Sequence, residues 1–195
     1  MKMKRNFAMK TLTIGLLTVS AFALAACQEE GEAQSFANVE QCVSASKMVD
    51  AKFTAADCEK GFTTAQAENV KSAPRYDAMA LCEQEHGPDA CVAETASNGS
   101  SVFMPMMMGY MMGSWMNNSD DRRYNHSYTP MYPVKGGGYA TSTGFYSSSF
   151  GNKGYASTST LASKPVATFK SAPMTSVSVA SKGGFGGAKA GGFGG

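Results

Sequence analysis

Three sets of side chains in this sequence could do chemistry: five cysteines, two histidines and a crowd of methionines. Cys27 closes the run Leu24-Ala25-Ala26-Cys27. Small residues before a cysteine at the end of an apolar leader mark a place where the leader is cut and the thiol acylated. The leader has the matching layout, with positive charge at Lys2, Lys4, Arg5 and Lys10 and an apolar run over residues 11–23. That run enters a membrane but falls short of the roughly 20 residues of a stable span. Residues 1–26 therefore read as a signal peptide, and Cys27 as the lipidated first residue of the mature chain. Stable anchoring needs at least two acyl chains, and a lipoprotein cysteine typically carries three. Gln28 stands where an Asp would favour inner-membrane retention, so by resemblance to that sorting rule the expected address is the periplasmic face of the outer membrane.

Four cysteines remain: Cys42, Cys58, Cys82 and Cys91. An even set in an oxidising compartment reads as disulfides with three possible pairings. The local pairing, Cys42 with Cys58 and Cys82 with Cys91, is favoured because each bond closes a short loop. A loop of about 15 residues contributes roughly 3 kcal/mol in the chain-entropy picture. No metal site is expected, since there is no Cys-x-x-Cys pair and only His86 lies nearby.

The remaining chemistry is thin. His86 and His126 are the only side chains that ordinarily carry protons near neutral pH, and both read as surface histidines. No glycine loop is followed by the Lys and Ser or Thr of a phosphate cradle. The expectation is a protein that is not an enzyme, with no catalytic residues and no cofactor. Met104, Met106, Met107, Met108, Met111, Met112 and Met116 crowd one segment, and soft thioethers suit Cu(I). A periplasmic Cu(I)-binding protein is the alternative reading. Apolar packing onto a partner or the lipid boundary is preferred, with Phe103, Met104, Met108, Gly109, Met112, Gly113 and Trp115 as contact residues. Gly109 and Gly113 have the small-xxx-small spacing that lets helices approach closely.

The elements that must position these residues read as helices. Asn38 caps a first helix with Gln41 three residues on, and Thr54 starts a second that runs to about Lys71, before Pro74. A third begins near Asp77 and stops at Gly87-Pro88. Residues 27–37 read as the acylated cysteine and a polar tether, 38–95 as a four-cysteine helical module, 96–116 as a Met/Gly-rich apolar segment and 117–195 as a low-complexity Gly/Ser/aromatic tail. Val177 to Val179 reads as a short strand wherever an edge is offered. The fold class expected is a small all-α, disulfide-stapled module with a long disordered C-terminal region.

Charge supports a divided chain. The formal net charge is +2. Removing the four basic leader residues leaves thirteen basic against fifteen acidic, or −2. Residues 28–95 hold thirteen acidic and five basic residues, and residues 96–195 hold two and eight. No concentrated basic patch calls for nucleic acid. The partners expected are the membrane through the N-terminal lipid, and an envelope protein or peptidoglycan.

Several of these stretches together resemble the YgiB/YjfM family of enterobacterial lipoproteins, a domain-of-unknown-function family. The resemblance rests on the Leu24–Cys27 run, the four-cysteine block from Cys42 through Ala73-Pro74-Arg75-Tyr76 to Cys91, the stretch from Phe103-Met-Pro-Met to Gly109-Tyr-Met-Met-Gly113, and Lys182-Gly-Gly-Phe-Gly186. It implies a lipoprotein without an established activity and supplies no catalytic residues. The family's genes often neighbour one for an ATP-grasp enzyme similar to glutathionylspermidine synthase, which points loosely to the cell envelope.

Overall fold

The computed structural model describes residues 29–96, 99–116, 123–168 and 171–185. The leader and Cys27 lie outside the described residues. In chain order the elements are β1 (Glu30–Phe36), α1 (Val39–Ser46), α2 (Ala55–Ser72), α3 (Met79–His86), β2 (Cys91–Thr95), β3 (Ser101–Pro105), β4 (Gly109–Met116), β5 (Tyr124–Pro133), β6 (Tyr139–Ala140), β7 (Tyr146–Ser147), β8 (Lys153–Ser157), α4 (Thr158–Leu161) and α5 (Ser176–Lys182).

Local chemistry starts the helices. The Asn38 side chain accepts from the Gln41 N–H, and Thr54 and Asp57 form a reciprocal capping box at the head of α2. Each satisfies amide donors that a helix start leaves open. The disulfides take the local pairing, Cys42–Cys58 tying α1 to α2 and Cys82–Cys91 tying α3 to β2.

The sheet is six-stranded and antiparallel in the order β7-β6-β5-β4-β1-β8, with β2-β3 as a separate hairpin. Register puts Phe36 opposite Tyr110 and Tyr128 opposite Met112, so these side chains share one face. There they pack with Phe53, Ala65 and the Cys42–Cys58 bridge beneath α1 and α2. Ala33, Met111 and Met131 point the other way and are covered by Phe145, Phe150 and Leu161 from the later chain. β4 is apolar on both faces because both are covered.

This architecture overturns the expectation of an all-α module with a disordered C-terminal region. The later chain supplies β5 to β8, α4 and α5. Its Gly- and Ser-rich segments carry Met131, Phe145 and Leu161, which complete a core with Ala33 and Met111 on the second face of the sheet. The tether expected over residues 27–37 is also corrected, since Glu30–Phe36 is β1, hydrogen-bonded between β4 and β8. Its polar side chains are accommodated by specific partners: Ser35 meets Ser147 at 3.2 Å, and Gln34 donates to the Gly151 carbonyl at 3.2 Å. Cys91–Thr95, placed by sequence in a helical module, is strand, and Val177 to Val179 lies in α5 rather than a strand. There Thr175 and Ser178 form a capping box. Among the described residues no helix is long and apolar enough to cross a membrane.

Candidate functional site

At one end of the molecule α3, the end of β5 and the segment after α5 converge on His86. Its Nδ1 lies 2.7 Å from the Pro133 carbonyl and its Nε2 lies 2.8 Å from the Tyr76 hydroxyl. A carbonyl only accepts, so Nδ1 carries the proton, and Nε2 accepts from Tyr76. The ring is buried at 2% exposure, and burial holds its pKa down to about 4, against a smaller upward pull from the Pro133 bond. His86 is therefore neutral near pH 7. The surface histidine expected from sequence is instead a buried aromatic and hydrogen-bonding hub.

Two tyrosines complete the hub. Burial pushes the Tyr76 phenol up, with the charge of Glu85 adding to it, and burial does the same to Tyr132 with help from Glu68. Tyr132 donates to the Asn69 side chain at 2.9 Å. Tyr76 is held by backbone bridges to Phe103 on one side and Met174 on the other.

Phe185 sits on this hub. Its ring centroid is 4.4 Å from that of His86 and 5.9 Å from that of Tyr132, and its backbone N–H donates to the Glu85 carboxylate. The approach depends on Gly183 and Gly184. Gly183 ends α5 in the left-handed region. Gly184 has φ +84°, and a Cβ there would stand 2.8 Å from Glu85 Oε2. Gly-Gly-Phe is thus held as a glycine turn that closes α5, with the Phe185 ring in an aromatic seat and a carboxylate gripping its backbone. A cavity of about 220 Å³ adjoins on the Pro74 and Val179 side, and another of about 420 Å³ on the Lys135 and Tyr146 side. Phe185 lines both.

A second cluster lies on the helix-covered sheet face. Ser114 Oγ is 3.0 Å from His126 Nδ1, and His126 Nε2 is 4.0 Å from Asp57 Oδ2. The residue types are those of a nucleophile, base and orienting acid. The geometry argues otherwise: Ser114 is only 4% exposed, leaving a substrate carbonyl no approach to Oγ. Asp57 is already engaged by the Thr54 N–H and hydroxyl. Burial raises the Asp57 carboxyl, the Thr54 bonds outweigh it and the net pKa is lowered. Burial also lowers His126, against the pull of Asp57. The cluster is a cross-strand polar pair beside a helix cap.

The contact residues expected from sequence are spread through the fold. Met104 and Met112 are buried in different clusters. Gly109 and Gly113 are buried in β4, where a Cβ would strike Phe150 and Ser127 respectively. Their spacing serves packing across a sheet face, not a helix pair. Phe103 packs partly buried beside Tyr76 and Leu81, Trp115 is half-buried against the Met111 cluster, and Met108 is 44% exposed. The thioethers of Met104, Met111 and Met112 are divided among three clusters. Among the described residues no group of three or more His, Cys, Asp or Glu could hold a metal ion. The seat of His86, Tyr132 and Phe185 is hidden in the sequence because it joins residues 46 to 99 positions apart; the one local signal is Gly-Gly-Phe, which falls in the stretch expected as a low-complexity tail.

A family model described as "Protein of unknown function (DUF1190)" matches residues 30–194. Similar curated proteins include a UPF0441 protein of Erwinia tasmaniensis, 34% identical over 127 residues, covering 58% of this chain and 54% of that protein. Another, from Sodalis glossinidius, is 30% identical over 118 residues, covering 56% of this chain and 53% of that one. A third, from Yersinia pestis bv. Antiqua, is 28% identical over 141 residues, covering 63% and 60%. The chain thus spans little more than half the length of the curated relatives it matches. No solved structure matches it.

Proposed function

The chain belongs to the DUF1190 family of proteins of unknown function, and from that premise we propose that it is a noncatalytic, lipid-anchored protein of the periplasmic face of the outer membrane that binds a glycine-flanked aromatic residue of an envelope partner. Gly183–Phe185 carries this reading. A backbone N–H held by Glu85 and a ring packed against His86 and Tyr132 are the contacts that would recognise an aromatic residue carried on a glycine turn, one main-chain bond fixing the backbone and a side-chain seat giving specificity. The cavities on either side leave room for a longer segment once residues 184–185 move aside. Cys27 and the YgiB/YjfM resemblance support the lipid anchor, and two disulfides suit an oxidising compartment.

The test uses a Phe185→Ala chain, which empties the seat, and fluorescein-labelled Gly-Gly-Phe-Gly-Gly. Burying one aromatic ring contributes about 1.5–3 kcal/mol, roughly a 10- to 100-fold preference over Gly-Gly-Ala-Gly-Gly. Equal binding of the two peptides refutes the groove. Absence of labelled palmitate from the wild-type product, with Cys27→Ser as control, refutes the anchor.

A further inference from the structure

The anchor and the fold are closer together than the sequence suggests. The Glu29 carbonyl accepts the Thr158 N–H at 2.8 Å, and β1 begins at the next residue. Two residue steps, at most about 7 Å, separate the Cys27 Cα from a backbone already fixed in the fold. Acyl chains on Cys27 would therefore hold the Glu29 end of the sheet against the bilayer surface.

That end carries the side chains an interface needs. Met116, 56% exposed, pairs with Tyr124, and Lys52 Nζ lies 5.4 Å from the centre of the Tyr124 ring. Trp115 adjoins Gly31, where a Cβ would stand 3.0 Å from the Trp115 Cβ. Indole and phenol rings favour the boundary between water and hydrocarbon, and an ammonium there meets lipid phosphate. Glu29 and Glu30 are exposed at the same end. Their carboxylates limit the contact to headgroup depth, because a charge in the hydrocarbon costs several kcal/mol.

We propose that Met116, Tyr124 and Lys52, with the half-buried Trp115 on the opposite side of β4, form a membrane-docking end of the sheet that rests at headgroup level on the bilayer holding the Cys27 acyl chains. This rests on the lipid anchor proposed above. Trp115 is the sole tryptophan of the chain and is its own probe. The full-length protein is expressed, processed and checked by intact mass for the acyl group. It is then reconstituted into phosphatidylethanolamine and phosphatidylglycerol vesicles, with and without brominated acyl chains. Expected is about a twofold fall in Trp115 emission with brominated lipid, as for an indole at the interface. Met116→Glu should reverse most of that fall, while Val177→Glu, on α5, should not. A lipidated product whose emission is equal in both vesicles overturns the docking and leaves the anchor standing. A product without the acyl mass overturns both.

Discussion

Acidification should remove a stabilising contribution of His86 in a defined pH window. In the unfolded chain the imidazole titrates near 6.5, and in the fold burial holds it to about 4. On lowering the pH the unfolded state takes up the proton first. The contribution of His86 is thus fully present above 6.5, is lost progressively between 6.5 and about 4, and is gone below. The difference between the two pKa values corresponds to about 3 kcal/mol, a large part of the 5–15 kcal/mol that stabilises a typical domain. The assay is urea unfolding from pH 7.5 to 3.5 for the wild type and His86→Gln. Carboxylates such as Asp57 and Asp50, both with lowered pKa, add their own losses as pH falls. They do so equally in both proteins, so the difference curve isolates His86. Wild type minus variant should fall by about 3 kcal/mol across the window. Parallel curves, or an NMR titration placing the folded His86 near 6.5, would refute the argument that burial keeps this ring neutral.

Four further outcomes follow from the same packing. Replacing Cys42 and Cys58 together by Ser releases a loop closed over a separation of 16 residues, and chemical denaturation should show a loss of about 3 kcal/mol. Gly184→Ala places a Cβ against Glu85 at a positive φ, so exchange protection of the Phe185 amide should drop while the global unfolding midpoint moves little. Asp57→Ala removes half of the α2 capping box and should cost about 1 kcal/mol in urea melts. Lys153→Ala breaks a 2.8 Å pair with the exposed Asp50 and a longer one with Glu32, and calorimetry should register a change within about 1 kcal/mol.

What the sequence made legible is what short-range chemistry decides. Asn38 and Thr54 announce α1 and α2 because a cap bonds within three residues, and the disulfides follow because each closes a short loop. The sheet was hidden for the opposite reason. Glu30–Phe36 is polar and small by composition, and it becomes a strand because the distant β4 and β8 pair its backbone on both sides while Ser147, Gly151 and Lys153 engage its side chains. Residues 109–116 read as a sticky surface because an apolar run without alternation is the mark of a strand covered on both sides as much as of an exposed patch. The clearest missed signal was Tyr124, His126, Tyr128 and Tyr132 at even spacing, which is the period of β5. The site escaped altogether, since nothing near His86 in sequence announces Phe185.

β5 joins the two ends on which the functional reading turns. It starts with Tyr124 beside Met116 and finishes with Tyr132 and Pro133 under the aromatic seat, ten residues in one unbroken element. At about 3.4 Å per residue that is a rigid strut of roughly 30 Å. It therefore fixes the distance between the aromatic seat and the Tyr124 end of the sheet, so that nothing bound at one can touch the other without itself spanning that length.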